Sequence, residues 1–140
     1  MISDYSLSEK EIDEIWESYR EISSLGISMF TDDEIRNLHA RLNYVLSCEI
    51  IRLGDLEKTL AAYEVALNST IALLMHTKYT EYTTVKKNEY AMGTDEKYLS
   101  ELGKRENVSV QVIGKKAEVN ALEKACMVLS REISYRIKGN

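Results

Sequence analysis

An all-α fold, arranged as a long helical hairpin or coiled-coil-like bundle, is what this 140-residue sequence predicts. Three observations predict it. Proline, the strongest helix breaker, is absent. Leucine recurs every seven residues at Leu46, Leu53, Leu60, Leu67 and Leu74, with Leu42, Leu56 and Tyr63 in the half-heptad register. A seam that returns every 3.5 residues keeps a long helix against a partner helix. Finally, Ser8 to Glu11 and Thr31 to Glu34 both have the spacing of a helix-starting capping box.

The first helix is expected over residues 8–24. Glu11 is placed to reach back to the Ser8 amide, and Ile12, Ile15, Trp16, Tyr19 and Ile22 mark one apolar stripe opposite an acidic face. Gly26 suits its end. Trp16 reads as core, with a partner-binding hot spot as the other reading.

The second helix is expected over residues 32–82. Thr31 caps it, Phe30 and Ile35 occupy the positions of a hydrophobic staple, and Asp32 and Asp33 suit the positive end of its dipole. Gly54 costs about 1 kcal/mol of helix propensity. The heptad register nevertheless crosses it, so a continuous or mildly bent helix is expected. At 1.5 Å per residue this is a rod of roughly 70 Å. Five leucines left in water would forfeit on the order of 10 kcal/mol. Another helix must therefore cover the seam, from the same chain or a second copy, and these five leucines are the expected oligomerisation positions.

Residues 83–107 read as a bend rich in tyrosine and lysine that contains a short helix, about 95–102, ending at Gly103. The last helix is expected over residues 108–138, with a seam at Val112, Val119, Leu122, Cys126, Leu129 and Ile133. Gly114-Lys115-Lys116 interrupts its first turns, which points to an ordered start nearer Ala117. Arg131, Arg136 and Lys138 suit its C-terminal end. The whole chain reads as a single helical domain, residues 1–140.

Charge and motifs narrow the function. The net charge of −5 argues against a histone-like, nonspecific nucleic-acid binder. It is unevenly spread: residues 1–75 carry 6 basic and 14 acidic side chains, residues 76–140 carry 12 and 9. No secretory signal and no membrane span are expected, so the expected location is the cytoplasm. Cys48 and Cys126 lack metal or redox spacing and read as reduced, buried thiols. His39 and His76 have no catalytic partners, and no nucleotide-binding, zinc-protease or nucleophile-elbow pattern occurs. No enzyme, metal or cofactor is expected. His39 instead reads as a polar seam residue that fixes helix register.

One constellation carries a specific mechanism. Tyr79, Tyr82, Tyr90 and Tyr98 lie among Lys78, Lys86, Lys87, Lys97, Lys104 and Arg105. Single-stranded nucleic acid is held by cations along its phosphates and by rings on which bases stack, each stack worth roughly 1–3 kcal/mol. Lys78, Tyr79, Tyr82, Lys86, Lys87, Tyr90, Lys97, Lys104 and Arg105 are therefore the expected nucleic-acid contacts. The other reading packs the tyrosines into the hairpin tip and leaves the lysines solvated. Glu81, Glu89, Asp95, Glu96 and Glu101 dilute the positive field.

In order and composition the last 85 or so residues resemble the UvsY-like recombination mediator proteins of tailed bacteriophages. The corresponding stretches are Leu56–Lys78, Tyr79–Tyr90, Thr94–Leu102 and Ala117–Lys138; no short motif is diagnostic. The resemblance implies a homo-oligomer that binds single-stranded DNA and helps a RecA-type recombinase replace the single-strand-binding protein. It points to Lys86, Lys87, Lys104, Arg105, Lys115 and Lys116 as contacts. The acidic N-terminal helix departs from a simple DNA binder and could dock a recombinase.

The sequence therefore leads to a non-enzymatic, homo-oligomeric, single-stranded-DNA-binding accessory factor of recombination or replication, working in the host cytoplasm if phage-encoded. Its expected partners are single-stranded DNA, further copies of itself, and a recombinase or single-strand-binding protein. The alternative is a coiled-coil protein-interaction factor, such as a phage-encoded inhibitor or assembly protein. It would present Glu9, Glu14, Glu17 and Glu21 of its acidic half.

Overall fold

A computed structural model describes residues 7–79 and 92–139. These form α1 (Glu9–Leu25), a 3-10 turn (Ile27–Met29), α2 (Asp32–Thr77) and α3 (Glu96–Gly139), with no strand among the described residues. The fold is all-α, as expected. The chain packs as two compact units: Met1–Leu53 with Lys115–Asn140, and Gly54–Gly114.

Helix starts follow from local chemistry. Ser8 Oγ accepts the Glu11 amide at 3.2 Å, which caps α1. At α2 the capping box is reciprocal: Thr31 Oγ1 accepts the Glu34 amide at 3.2 Å, and the Thr31 amide donates to Glu34 Oε1 at 3.3 Å. The two staple residues, Phe30 and Ile35, join the same core. Gly26 ends α1 at φ 98°, a backbone that a Cβ would strain.

In the first unit the isoleucine stripe of α1, Ile15 and Ile22, packs on Ile35, Leu38, Leu42 and Val45 of α2. Leu122, Ala125, Cys126 and Leu129 of α3 complete the core. The two long helices run antiparallel here, since Asp32 meets Arg136 at one end and Glu49 meets Lys115 at the other. Arg136 ties the lower end: Nη1 donates to Asp32 at 2.7 Å, Nη2 to the Ile27 carbonyl at 2.9 Å and Nε to Glu132 at 2.9 Å.

In the second unit Leu67, Thr70 and Leu74 of α2 are buried, as are Met92, Val108 and Val112. The helices are again antiparallel, with Glu64 near Arg105 and Lys78 bonded to Asp95.

Two expectations need correction. The separate short helix and the restart at 108 do not occur, because α3 runs unbroken from Glu96 through Gly103 and Gly114. Two glycines cost about 2 kcal/mol of propensity. The seam of Val108, Val112, Val119 and Leu122, all buried, offsets that cost. The second helix closes at Thr77, and the expected stretch to Tyr82 runs into residues outside those described. Burial varies along the leucine series. Leu67 and Leu74 are buried by the chain itself, whereas Leu46, Leu53 and Leu60 are half-buried. In the first unit the buried register runs through Leu38, Leu42, Val45 and Glu49, which leaves Leu46 on its flank.

Candidate nucleic-acid interface

Of the cations expected to meet nucleic acid, Lys86 and Lys87 lie outside the described residues, as do Tyr82 and Tyr90. The described ones divide sharply by pairing. Lys78 Nζ donates to Asp95 Oδ2 at 2.7 Å, the Tyr79 hydroxyl donates to the same oxygen at 3.1 Å, and the ammonium lies 5.6 Å from the Tyr79 ring centroid. The other Asp95 oxygen accepts the amides of Lys97 and Tyr98, which caps α3. The Lys78 hydrogen bond, and after it the Tyr98 amide, hold the Asp95 carboxyl down at about 2. Lys78 and Tyr79 are thus committed to joining the end of α2 to the start of α3.

Lys104 and Arg105 sit 3.8 Å from Glu101 and 3.9 Å from Glu64, beyond hydrogen-bond range but within an ion pair. Lys115 is held harder. It donates to Glu49 at 2.5 Å and to Glu118 at 2.9 Å, and Arg52 also pairs with Glu49. Burial pushes the Lys115 amine down, but the hydrogen bonds to Glu49 and Glu118 outweigh it and its pKa is raised. Lys97 and Lys116 are exposed and make no ion pair among the described residues.

The structure adds residues that the sequence reading left out of the site. Lys124, Arg131 and Lys138 recur every seven residues, are exposed, and make no ion pair among the described residues. At 100° per residue they fall with Lys116 inside a sector of about 120° on α3. Between residues 116 and 138, Asn120, Met127, Val128, Ser134 and Tyr135 share that sector, and no carboxylate does. Tyr135 is 74% exposed, so its ring is open to stacking. Of the carboxylates on this part of the helix, Glu118 and Glu132 point to Lys115 and Arg136, and Glu123 lies about 20° outside the sector. The seven-residue spacing was readable beforehand; it was absorbed into a general statement about a basic helix end.

A second feature is acidic. Glu9, Ile12, Asp13 and Trp16 of α1, with Val45, Glu49 and Arg52 of α2 and Lys115, Glu118, Ala121 and Leu122 of α3, line an open cavity of about 500 Å³. Trp16 is half-buried and stacks edge-on against Tyr19, ring centroids 5.9 Å apart, so it is partly core and partly cavity wall.

Neither feature resembles a catalytic centre. Among the described residues no three His, Cys, Asp or Glu side chains are placed to hold a metal ion. His39 accepts from the Asn43 amide at 3.1 Å, one turn along α2. Burial and the nearby Glu123 raise the Cys126 thiol, the wrong direction for a nucleophile. No described helix is long and apolar enough to cross a membrane. No protein-family model, curated protein or solved structure matches the chain.

Proposed function

We propose that this chain is a non-enzymatic accessory factor that binds single-stranded DNA through the outward basic face of α3. The observation that carries the reading is the carboxylate-free sector holding Lys116, Lys124, Arg131 and Lys138, with the exposed Tyr135 among them. Ammonium and guanidinium groups with no internal partner gain most from phosphates, and a phenol ring between them offers a surface for one base. Lys97 supplies a further unpaired cation. Lys104 and Arg105, loosely paired, can exchange a carboxylate for a phosphate at small cost. Several weak sites on a homo-oligomer would raise the affinity through avidity. Assistance to a RecA-type recombinase is the wider form of the proposal and rests on the resemblance to UvsY-like mediators.

The test is fluorescence anisotropy with a labelled single-stranded oligonucleotide across a salt series. Four neutralised phosphates give a log–log slope of about −3. Absence of binding at 50 mM salt overturns the reading.

A second reading, capture of a protein partner by the acidic half, is favoured by a different observation. Glu14, Glu17 and Glu21 line the outer face of α1, opposite its buried Ile15 and Ile22. Reversing their charge would abolish partner capture and leave DNA binding intact.

A further inference from the structure

The cavity between α1 and the long helices is neither a DNA surface nor a packing defect in the core. Its floor is apolar, made by Ile12, Trp16 and Leu122, and its rim carries Glu9, Asp13 and Glu118. About 500 Å³ lies within the range of sites that take a specific ligand group. The two cations in its lining offset only part of the rim. Arg52 and Lys115 are both turned onto Glu49, whose side chain is only 6% exposed, and Lys115 also reaches Glu118, which leaves Glu9 and Asp13 without an ion pair among the described residues. Four carboxylates against two already-paired cations leave the opening electronegative, which repels phosphate and attracts ammonium or guanidinium groups. The α1 part of the lining, Glu9 to Trp16, spans two helical turns, about 10 Å. That is room for one apolar anchor with a cation roughly one turn to either side.

We infer that this cavity is the docking site for a basic, amphipathic helical segment of a protein partner. An aliphatic or aromatic side chain seats on Ile12, Trp16 and Leu122, and flanking lysine or arginine side chains meet Glu9 and Asp13. The inference rests on the second reading's capture of a protein partner but replaces its surface: recognition lies in the cavity on the inner flank of α1, so Glu14, Glu17 and Glu21 are not its contacts, and the occupant is assigned.

The chain's sole tryptophan lines the cavity, so its emission reports occupancy directly. The probe is an 18-residue amphipathic helical peptide of leucine and lysine, with two controls: glutamate in place of lysine, and serine in place of leucine. Binding of the leucine–lysine peptide should be saturable and shift the Trp16 emission. Each control should bind at least about tenfold more weakly, as should the peptide to a Glu9→Lys/Asp13→Lys variant of unchanged helicity. A Glu17→Lys/Glu21→Lys variant should bind as the parent does. Loss of binding in that second variant, with the cavity variant unaffected, overturns the cavity assignment and leaves partner capture by the outer face standing. Equal binding of the glutamate or serine peptide overturns it too. Failure of every peptide in titration calorimetry removes both.

Discussion

Two groups of lysines and arginines on this chain stand in opposite circumstances. From Lys78 to Lys115, four of the five lysines and arginines detailed above are paired: Lys78 with Asp95, Lys104 with Glu101, Arg105 with Glu64 and Lys115 with Glu49 and Glu118. From Lys116 to Lys138, four of five have no such partner among the described residues, and Arg136 alone is engaged there. A tally of basic residues ranks the first region higher because its tyrosines cluster there. Pairing ranks the second region higher. A polyanion must compete with internal carboxylates in the first region and only with water in the second.

The comparison breaks most directly by emptying the second region. A Lys124→Ala/Arg131→Ala/Lys138→Ala variant should lose about 100-fold in single-stranded DNA affinity at 50 mM salt and flatten the salt slope by about 2. Anisotropy titrations at several salt concentrations check both. A loss confined to Lys104→Ala/Arg105→Ala would invert the ranking.

Next in size is a stability effect within the paired region. Lys115→Met removes an amine from the nearly buried Glu49 carboxylate, leaving Arg52 as its partner. It should cost about 2 kcal/mol in urea unfolding. A Lys115→Met/Glu49→Met double variant should recover most of that loss, because the stranded charge goes with its partner.

Asp95 sharpens the comparison through pH. Its carboxyl is held at about 2 against an ordinary 3.8, chiefly by the Lys78 hydrogen bond. A depressed carboxyl stabilises the fold above its unfolded value, and the contribution fades as pH falls from about 4 towards 2. Thermal melts should therefore fall through that window in the parent, with that part missing in Asp95→Asn. At pH 7 the variant should melt about 5 °C lower, since Lys78, Tyr79 and the start of α3 share the lost carboxylate. The smallest effect belongs to Lys104→Ala/Arg105→Ala, which should change DNA affinity less than about threefold.

Much of the fold was legible in the residues. Ser8 and Thr31 cap the helices that their spacing announced, and Phe30 and Ile35 meet as a staple. These interactions reach at most four or five positions along the chain. The leucine repeat was harder, because half-buried and buried leucines look alike in sequence. Leu46 and Leu67 share a heptad position, yet only Leu67 is sealed. Gly103 and Gly114 misled for a related reason: propensity argued for breaks, and the buried valines at 108, 112 and 119 overrode it.

The candidate site was less legible. Lys115 stands 66 positions from Glu49, and Lys78 stands 17 from Asp95. Nothing in a local pattern tells which carboxylate will meet which cation.

Local chemistry in the chain alone determined that this protein is helical, where α1 and α2 begin, and which stripes are apolar. Those outcomes depend on the 3.6-residue turn and on donors and acceptors a few positions apart. The tertiary structure alone decided which lysines remain available and where an acidic cavity opens beside Trp16. Charge pairing acts through space, and only packing brings Glu49, Arg52 and Lys115 together while turning Lys124, Arg131 and Lys138 to the outside.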